Sequence, residues 1–285
     1  MTVSEQTITL VNGEASSSIE VTDRGLQFGD GVFETIRIER GRLVWWQQHM
    51  SRLLEGCRRL HFTTLPDVEV LLKEAVQLSE NCMQGALKII ITRGYSNCGY
   101  SIPTEISPNR ILLMRPGKSN SAQAKQGICL GVCRQRISSS TNLSGIKHLN
   151  RLEQVLARME CTTEGWDEGL MLNERDKVME GSMSNLFVWQ HDHLFTPLLE
   201  NAGVEGIARG IIIKLAQKCG IAVEQGELDI LDLPNVDELF ICNSLIGLWP
   251  VSQIKMPQSG QLNFDIGDKT RFLQQQLEEA MCSAD

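Results

Sequence analysis

Four separated stretches of the chain carry side chains able to hold and activate a reacting group. Lys147 lies in Gly145-Ile146-Lys147-His148-Leu149-Asn150-Arg151, after a strand-and-loop region and before a helix pattern. A lysine at such a corner is either a solvated cation or, where water is excluded, an amine whose pKa falls until it acts as a nucleophile or Schiff-base former. Glu180 precedes Gly181-Ser182-Met183-Ser184 and the apolar run Asn185 to Val188. It is either a surface turn residue or a buried carboxylate that keeps a ring nitrogen protonated, so that the ring accepts electrons. The loop Asn201-Ala202-Gly203-Val204-Glu205-Gly206 runs into Ile207-Ala208-Arg209, and the exposed N–H groups and dipole of such a helix start attract phosphate. Arg52, on the first long helix pattern, offers either a solvated charge or a forked contact to the same anion. Ser244 adds a hydroxyl after a strand pattern.

Other chemistries find no support. His191-x-His193 lacks a cysteine or carboxylate partner to complete a zinc set, and neither a GxSxG elbow nor a P-loop occurs. Gly29-x-Gly31 has no third glycine, so a dinucleotide fingerprint fails. The nine cysteines are scattered without a CxxC pair, which suits free thiols in a reducing cytosol. A net charge of −8 repels phosphate backbones and anionic lipid heads, so neither nucleic acid nor a membrane surface is expected as a partner. No apolar run reaches the ~18–20 residues of a membrane span, and Met1-Thr2-Val3-Ser4-Glu5 shows no secretory pattern. A cytoplasmic location is expected.

These groups need a scaffold, and the pattern reads as mixed α and β. Strands are expected at Thr7 to Val11, Ser18 to Thr22, Val32 to Glu39, Leu87 to Thr92 and Ile111 to Arg115, with hairpin turns at Asn12-Gly13 and Arg40-Gly41. Gln47 to Leu60 repeats apolar residues with helical period, and Asp67 caps a second helix. Beyond a polar stretch come strands at Ile128 to Arg134, Glu168 to Leu172, Leu186 to Gln190, Ile221 to Gln225 and Glu238 to Asn243. Helices are expected at Leu149 to Glu160, Gly206 to Cys219 and Lys269 to Met281. This predicts a smaller N-terminal α/β domain (1–118), a linker (119–127) and a larger C-terminal α/β domain (128–285) carrying Lys147.

The order of these segments resembles the fold-type IV pyridoxal-phosphate enzymes, also termed class IV aminotransferases. The resemblance runs through Phe28-Gly29-Asp30-Gly31-Val32-Phe33-Glu34, His49-x-x-Arg52-Leu53, Lys147, Glu180 with Ser184-Asn185-Leu186-Phe187, and Gly203-x-x-Gly206-Ile207-x-Arg209. It implies a two-domain fold like that of D-amino-acid aminotransferases, with pyridoxal 5'-phosphate held on Lys147. Glu180 is then the partner of the pyridine nitrogen and Arg52 the phosphate arginine. Ile207 and Ala208 lend backbone N–H groups to the phosphate, and Ser184, Asn243 and Ser244 complete the cofactor set. Family members often have a hydroxyl residue where Ala208 stands.

Within the family, Lys147-His148-Leu149-Asn150-Arg151-Leu152-Glu153-Gln154-Val155 resembles the lyase branch, as do Gly99-Tyr100-Ser101 and Ile241-Cys242-Asn243-Ser244. That branch converts 4-amino-4-deoxychorismate to 4-aminobenzoate and pyruvate. D-amino-acid or branched-chain transamination is the alternative. Phe33, Arg93, Tyr100 and Arg151 are the expected substrate residues. Cys98 stands where some lyases carry arginine, and Glu34 where aminotransferases often carry glutamate. A homodimer is implied by the resemblance alone.

Overall fold

The structure, a computed structural model, describes residues 7–117, 121–257 and 260–283. These fall into two compact units. One comprises 7–117 together with 146–150, and the other 121–145 with 151–283.

The first unit begins with β1 (Ile8–Val11), β2 (Glu14–Ala15), α1 (Arg24–Phe28), β3 (Gly31–Glu39) and β4 (Arg42–Leu43). It continues with α2 (Trp46–Arg59), α3 (Val68–Ser79), β5 (Gln84–Thr92) and β6 (Asn109–Pro116). Its six strands form an antiparallel sheet in the order β2-β1-β6-β5-β3-β4. Alternation sets the faces: Val32, Glu34, Ile36 and Ile38 of β3 point inward with Leu87, Ile89 and Ile91 of β5. Met50 and Leu53 of α2 and Leu71 and Ala75 of α3 complete that core. Truncating a fully buried Leu71 to alanine would cost about 2–5 kcal/mol. Asp67 caps α3 as expected, accepting from the N–H groups of Glu69 and Val70. Ser18 to Thr22 does not form the expected strand, because the chain already turns back as the two-residue β2.

The second unit contains α4 (Ser121–Gln126), β7 (Ile128–Ile137), α5 (Leu152–Glu164), β8 (Glu168–Asn173), β9 (Lys177–Gly181), β10 (Asn185–Gln190) and β11 (His193–Pro197). After these come α6 (Ile207–Lys218), β12 (Ala222–Gly226), β13 (Leu228–Asp229), a 3-10 turn at Ile230–Asn235, β14 (Glu238–Asn243), β15 (Gly247–Met256), β16 (Gly260–Asn263) and α7 (Asp268–Cys282). The sheet runs β12-β11-β10-β14-β15-β7-β8-β9-β13, with β16 added on β15. Its core includes Leu170, Leu186, Val188, Ile241 and Val251. β8 and β10 are almost entirely buried, which is why they read as continuous apolar runs.

Two expectations are corrected. The expected linker at 119–127 contains α4, whose backbone carbonyls at Ala124 and Lys125 accept from Arg271. Residues 118–120 lie outside the described residues. Lys147 was expected in the C-terminal domain, but 146–150 belong to the first unit. The Phe33 N–H donates to the Lys147 carbonyl at 2.9 Å and the Leu149 N–H to the Gly31 carbonyl at 3.0 Å, so the segment lies along β3. These bonds, and an isolated bridge from Val32 to His148, also delay the helix start from Leu149 to Leu152.

Candidate active site

In the first unit, Lys147 and Phe33 share more than a backbone bond. The Lys147 Nζ stands 4.4 Å from the centroid of the Phe33 ring. Phe33 is on the face of β3 that α2 does not cover, because its neighbours Val32 and Glu34 point into the core. Lys88 of β5 is opposite Thr35 in the register and reaches the same ring, with its Nζ 4.9 Å from the centroid. Burial lowers the Lys88 pKa, and the nearby Arg115 charge adds to that shift. Lys88 has no salt-bridge partner among the described residues. Sequence reasoning missed it. The available signal was a single lysine interrupting the apolar strand Leu87 to Ile91 at an outward position.

On the inward face, Glu34 is fully buried and accepts from Arg52 twice: Nε to Oε1 at 2.8 Å and Nη2 to Oε2 at 2.5 Å. His49 Nδ1 lies 2.7 Å from Glu34 Oε2. His49 and Arg52 meet one carboxylate because three residues of helix bring them to one face of α2. Burial pushes the Glu34 carboxyl upward, but the Arg52 charge and the bonds from Arg52 and His49 outweigh it and bring it down to about 2. Burial also lowers the His49 pKa against the pull of Glu34, which keeps the imidazole neutral. Arg52, the expected phosphate arginine, is thus held in a fixed orientation by a forked ion pair.

The other expected residues of this unit are placed differently. Arg93 is a buried brace: its Nε donates to Asp30 at 2.7 Å, Nη1 to the His61 carbonyl and Nη2 to the Leu60 carbonyl, and it stacks on Phe62. These bonds tie its head to the fold. Tyr100 is 88% exposed, with its ring 5.2 Å from that of Phe28. Cys98 is exposed in the same loop.

In the second unit, the buried Glu180 is the last residue but one of β9. Its Oε2 accepts from the Val204 N–H at 2.9 Å and from Asn185 Nδ2 at 3.3 Å. Asn185 Nδ2 also donates to the Val204 carbonyl at 3.0 Å. Two glycines allow this approach. Gly203 has φ +85°, and a Cβ there would stand 3.0 Å from Glu180 Oε2. A Cβ on Gly206 would stand 1.9 Å from Asn185 Oδ1. Gly206 caps α6 without any side-chain hydrogen bond, so no capping side chain competes for the first-turn N–H groups around Ile207 and Ala208. Gly145, two residues before Lys147 in the chain, donates to the Gly203 carbonyl and accepts from the Glu205 N–H.

Ser184, expected against the cofactor, is buried and donates instead to Glu168 at 3.3 Å. Asn243 pins its own turn, accepting from the N–H groups of Leu245 and Ile246 and donating to the Met183 carbonyl at 3.0 Å. Ser244 follows it, half-buried. Arg151 is half-buried at the start of α5 and does not cap it with its side chain. His191 and His193 flank a tight turn, and among the described residues no group of three His, Cys, Asp or Glu side chains could hold a metal ion.

Within the second unit, a buried carboxylate held by an amide and a backbone N–H and a helix start free of a capping side chain suit a ring nitrogen and an anion; within the first, a guanidinium is fixed by a buried acid. The amino-transferase class IV family matches residues 31–254. The aminodeoxychorismate lyase of Vibrio harveyi is 35% identical over 270 residues, covering 94% of this chain and 98% of that protein. The crystal structure of 4-amino-4-deoxychorismate lyase from Pseudomonas aeruginosa superposes with a TM-score of 0.88 at 37% identity, over 95% of this chain and 98% of that one. The D-alanine aminotransferase of Listeria monocytogenes is 27% identical, over 84% of this chain and 83% of that protein.

Proposed function

The chain belongs to the class IV aminotransferase family, which is pyridoxal-phosphate dependent, and from that premise we propose that it is an aminodeoxychorismate lyase, releasing 4-aminobenzoate and pyruvate. The observation that carries this reading is the end-to-end match, at 35% and 37% identity, to two lyases of that activity. Its test is direct. Purified protein given 4-amino-4-deoxychorismate should release both products. Release of pyruvate from D-alanine with 2-oxoglutarate, and no 4-aminobenzoate, would instead favour the aminotransferase reading.

The residues present fit the cofactor. Gly203 and Gly206 let the backbone close on Glu180 and Asn185, so the carboxylate is buried and held in place, as the partner of a protonated ring nitrogen must be. When bound, pyridoxal phosphate supplies an electron-accepting ring. Lys147 would carry it through Nζ. Glu180 would hold the proton on its ring nitrogen. Arg52, oriented by Glu34, and the N–H groups of Ile207 and Ala208 would bind its phosphate, with Asn243 and Ser244 at a second phosphate turn.

In turnover the Lys147 amine, released when the substrate's amino group takes its place, would remove the proton from the ring carbon bearing nitrogen; the C–O bond to the three-carbon side chain breaks, and the same amine would return the proton to the departing enolate, giving pyruvate. One amine can serve both steps, as base in the first and as acid in the second. The substrate is a dicarboxylate and the protein carries a net charge of −8, so local cations must outweigh the general field. Lys88 on the Phe33 ring is the carboxylate partner this reading favours, with Arg151 as a second candidate. The Phe33 ring offers an apolar seat for the substrate ring.

A homodimer in the cytosol completes the proposal. Leu152, Val155, Leu156 and Met159 form an exposed apolar stripe on α5, a surface that a second copy can cover. The described cysteines are all free thiols, which suits a reducing compartment. Among the described residues no helix is long and apolar enough to cross a membrane.

A further inference from the structure

Glu168, the first residue of β8, is 1% exposed, and the chemistry proposed above makes no use of it. Buried carboxylates are costly unless several donors satisfy them. The donors here come from the connection between β9 and β10. The Ser182 N–H donates to Glu168 Oε1 at 3.1 Å, and the Ser182 hydroxyl bonds the same oxygen. The Ser184 hydroxyl donates to Oε2 at 3.3 Å. The Gly169 N–H adds a bond to Oε1 at 2.8 Å. Charge compensation comes from α5, where Arg158 Nη1 is 3.6 Å from Oε1. Among the described residues, Cys133 of β7 and Cys161 of α5 also lie close enough to feel the Glu168 charge.

The connection is tight. Gly181 N–H donates to the Ser184 carbonyl at 2.6 Å, and Ser182 N–H also reaches the Gly169 carbonyl at 2.9 Å. A Cβ on Gly181 would stand 2.1 Å from the Ser184 hydroxyl and 3.4 Å from the Glu168 carboxyl carbon. At one end of this turn is Glu180 and at the other Asn185, and their side chains bond to each other. The turn therefore sets both members of the pair that would face the cofactor's nitrogen.

We propose that Glu168 is a positioning residue for Glu180: its buried carboxylate fixes the Gly181–Ser184 turn, and so the angle at which the Glu180 carboxylate is presented. The proposal rests on the reading of Glu180 as partner of the ring nitrogen. A loosened turn lowers the fraction of time that Glu180 holds the ring-nitrogen proton. That positive charge disfavours a second one on the lysine–cofactor linkage, so losing it raises the linkage pKa.

The test is a pH titration of the visible absorption band of the cofactor-loaded protein, which needs no turnover. Glu180→Gln is the reference and should raise the midpoint. Glu168→Ala should raise it in the same direction by about 0.5–1 unit, a roughly three- to tenfold change in the proton equilibrium. Glu168→Gln, which keeps an acceptor oxygen for Ser182, should stay within about twofold of wild type. If Glu168→Ala does not fold, the double variant Ser182→Ala, Ser184→Ala removes the same bonds from the turn side and should give the same rise. A Glu168→Ala protein, or that double variant, titrating as wild type while Glu180→Gln shifts overturns the positioning role, however far its melting temperature falls. A Glu180→Gln midpoint equal to wild type overturns the assignment of Glu180 itself.

Discussion

Nδ1 of His49 lies 2.7 Å from Oε2 of Glu34, with no solvent exposure at either side chain. An ionised carboxylate only accepts, so the proton is on Nδ1 and the imidazole is the Nδ1–H tautomer. His49 Nε2 is buried with no hydrogen-bond partner, which fits a neutral ring whose second nitrogen carries a lone pair and no proton. Glu34 thereby spends its charge on Arg52 and its remaining lone-pair capacity on His49.

This arrangement makes stability depend on acid. The Glu34 pKa is lowered from 4.5 to about 2, so the native protein binds that proton less readily than the unfolded chain. The stabilisation is present above about pH 4.5 and disappears as pH falls toward 2. It amounts to roughly 3 kcal/mol at neutral pH. His49 acts in the same direction: its lowered pKa means that below about pH 6.5 the unfolded chain takes a proton the native ring refuses. Denaturant midpoints measured from pH 7 to 3 should fall for wild type. Glu34→Gln should be less stable at pH 7, because Arg52 loses its anion, and its curve should be flatter between pH 5 and 3. Parallel curves for the two proteins would refute the assignment.

Lys88 should matter for binding rather than for turnover. It is half-buried with no salt-bridge partner among the described residues, and an anionic substrate would supply the missing charge. A hydrogen bond to a charged group is worth about 1.5–3 kcal/mol. Lys88→Met keeps most of the stem packing on Phe33, so KM for 4-amino-4-deoxychorismate should rise about 10- to 100-fold with kcat within about threefold. The melting temperature should stay level or rise, since a desolvated cation is removed. An unchanged KM would remove Lys88 from the substrate site.

Most elements were legible because burial is written into the sequence as period. Alternation at Val32, Glu34, Ile36 and Ile38 gave β3, and the cap at Asp67 gave α3. What escaped was set by partners distant in the chain. Ile146 to Asn150 has a helix-entry pattern, yet hydrogen bonds to Gly31 and Phe33, more than a hundred residues away, hold it out of the helix. Arg93 and Ser184 have the right chemistry for ligands, but Asp30 and Glu168 claim them, and no local pattern marks those acids as buried. Glu34 was legible only as a position where aminotransferases often carry glutamate, and its burial against Arg52 and His49 followed only once α2 was placed against that face of β3.

The α5 stripe gives a prediction about assembly. Leu152 is 69% exposed and Met159 60%, at helical spacing on one side. A second copy covering them would be driven off by charge buried without a partner. Sedimentation of wild type should give a dimer near twice 31.9 kDa, and the pair Leu152→Glu, Met159→Glu should raise the dimer dissociation constant at least about 100-fold, equivalent to 2–3 kcal/mol. A wild-type monomer at micromolar concentration would contradict the assembly, and a variant that remains dimeric would move the interface elsewhere.

Gly206 links backbone geometry to cofactor affinity. It begins α6 at φ −65°, a conformation open to any residue, so Gly206→Ala carries no strain from the backbone itself. Its cost is steric: the added methyl would stand 1.9 Å from Asn185 Oδ1. Asn185 must then swing away, and its bonds to Glu180 and to the Val204 carbonyl go with it. Overpacking of this kind costs about 1–3 kcal/mol. The cofactor-free protein should lose about that much in denaturant stability. Affinity for pyridoxal phosphate, measured by fluorescence quenching of the cofactor-free protein, should weaken by a further factor of about ten, because both the ring-nitrogen partner and the helix start that meets the phosphate are displaced. Asn185→Ala in the Gly206→Ala background relieves the collision and should restore the steric part of the lost stability without restoring the affinity. If the double variant regains both, the methyl acted only by pushing on Asn185, and the hydrogen bonds of that amide contribute nothing to holding the cofactor.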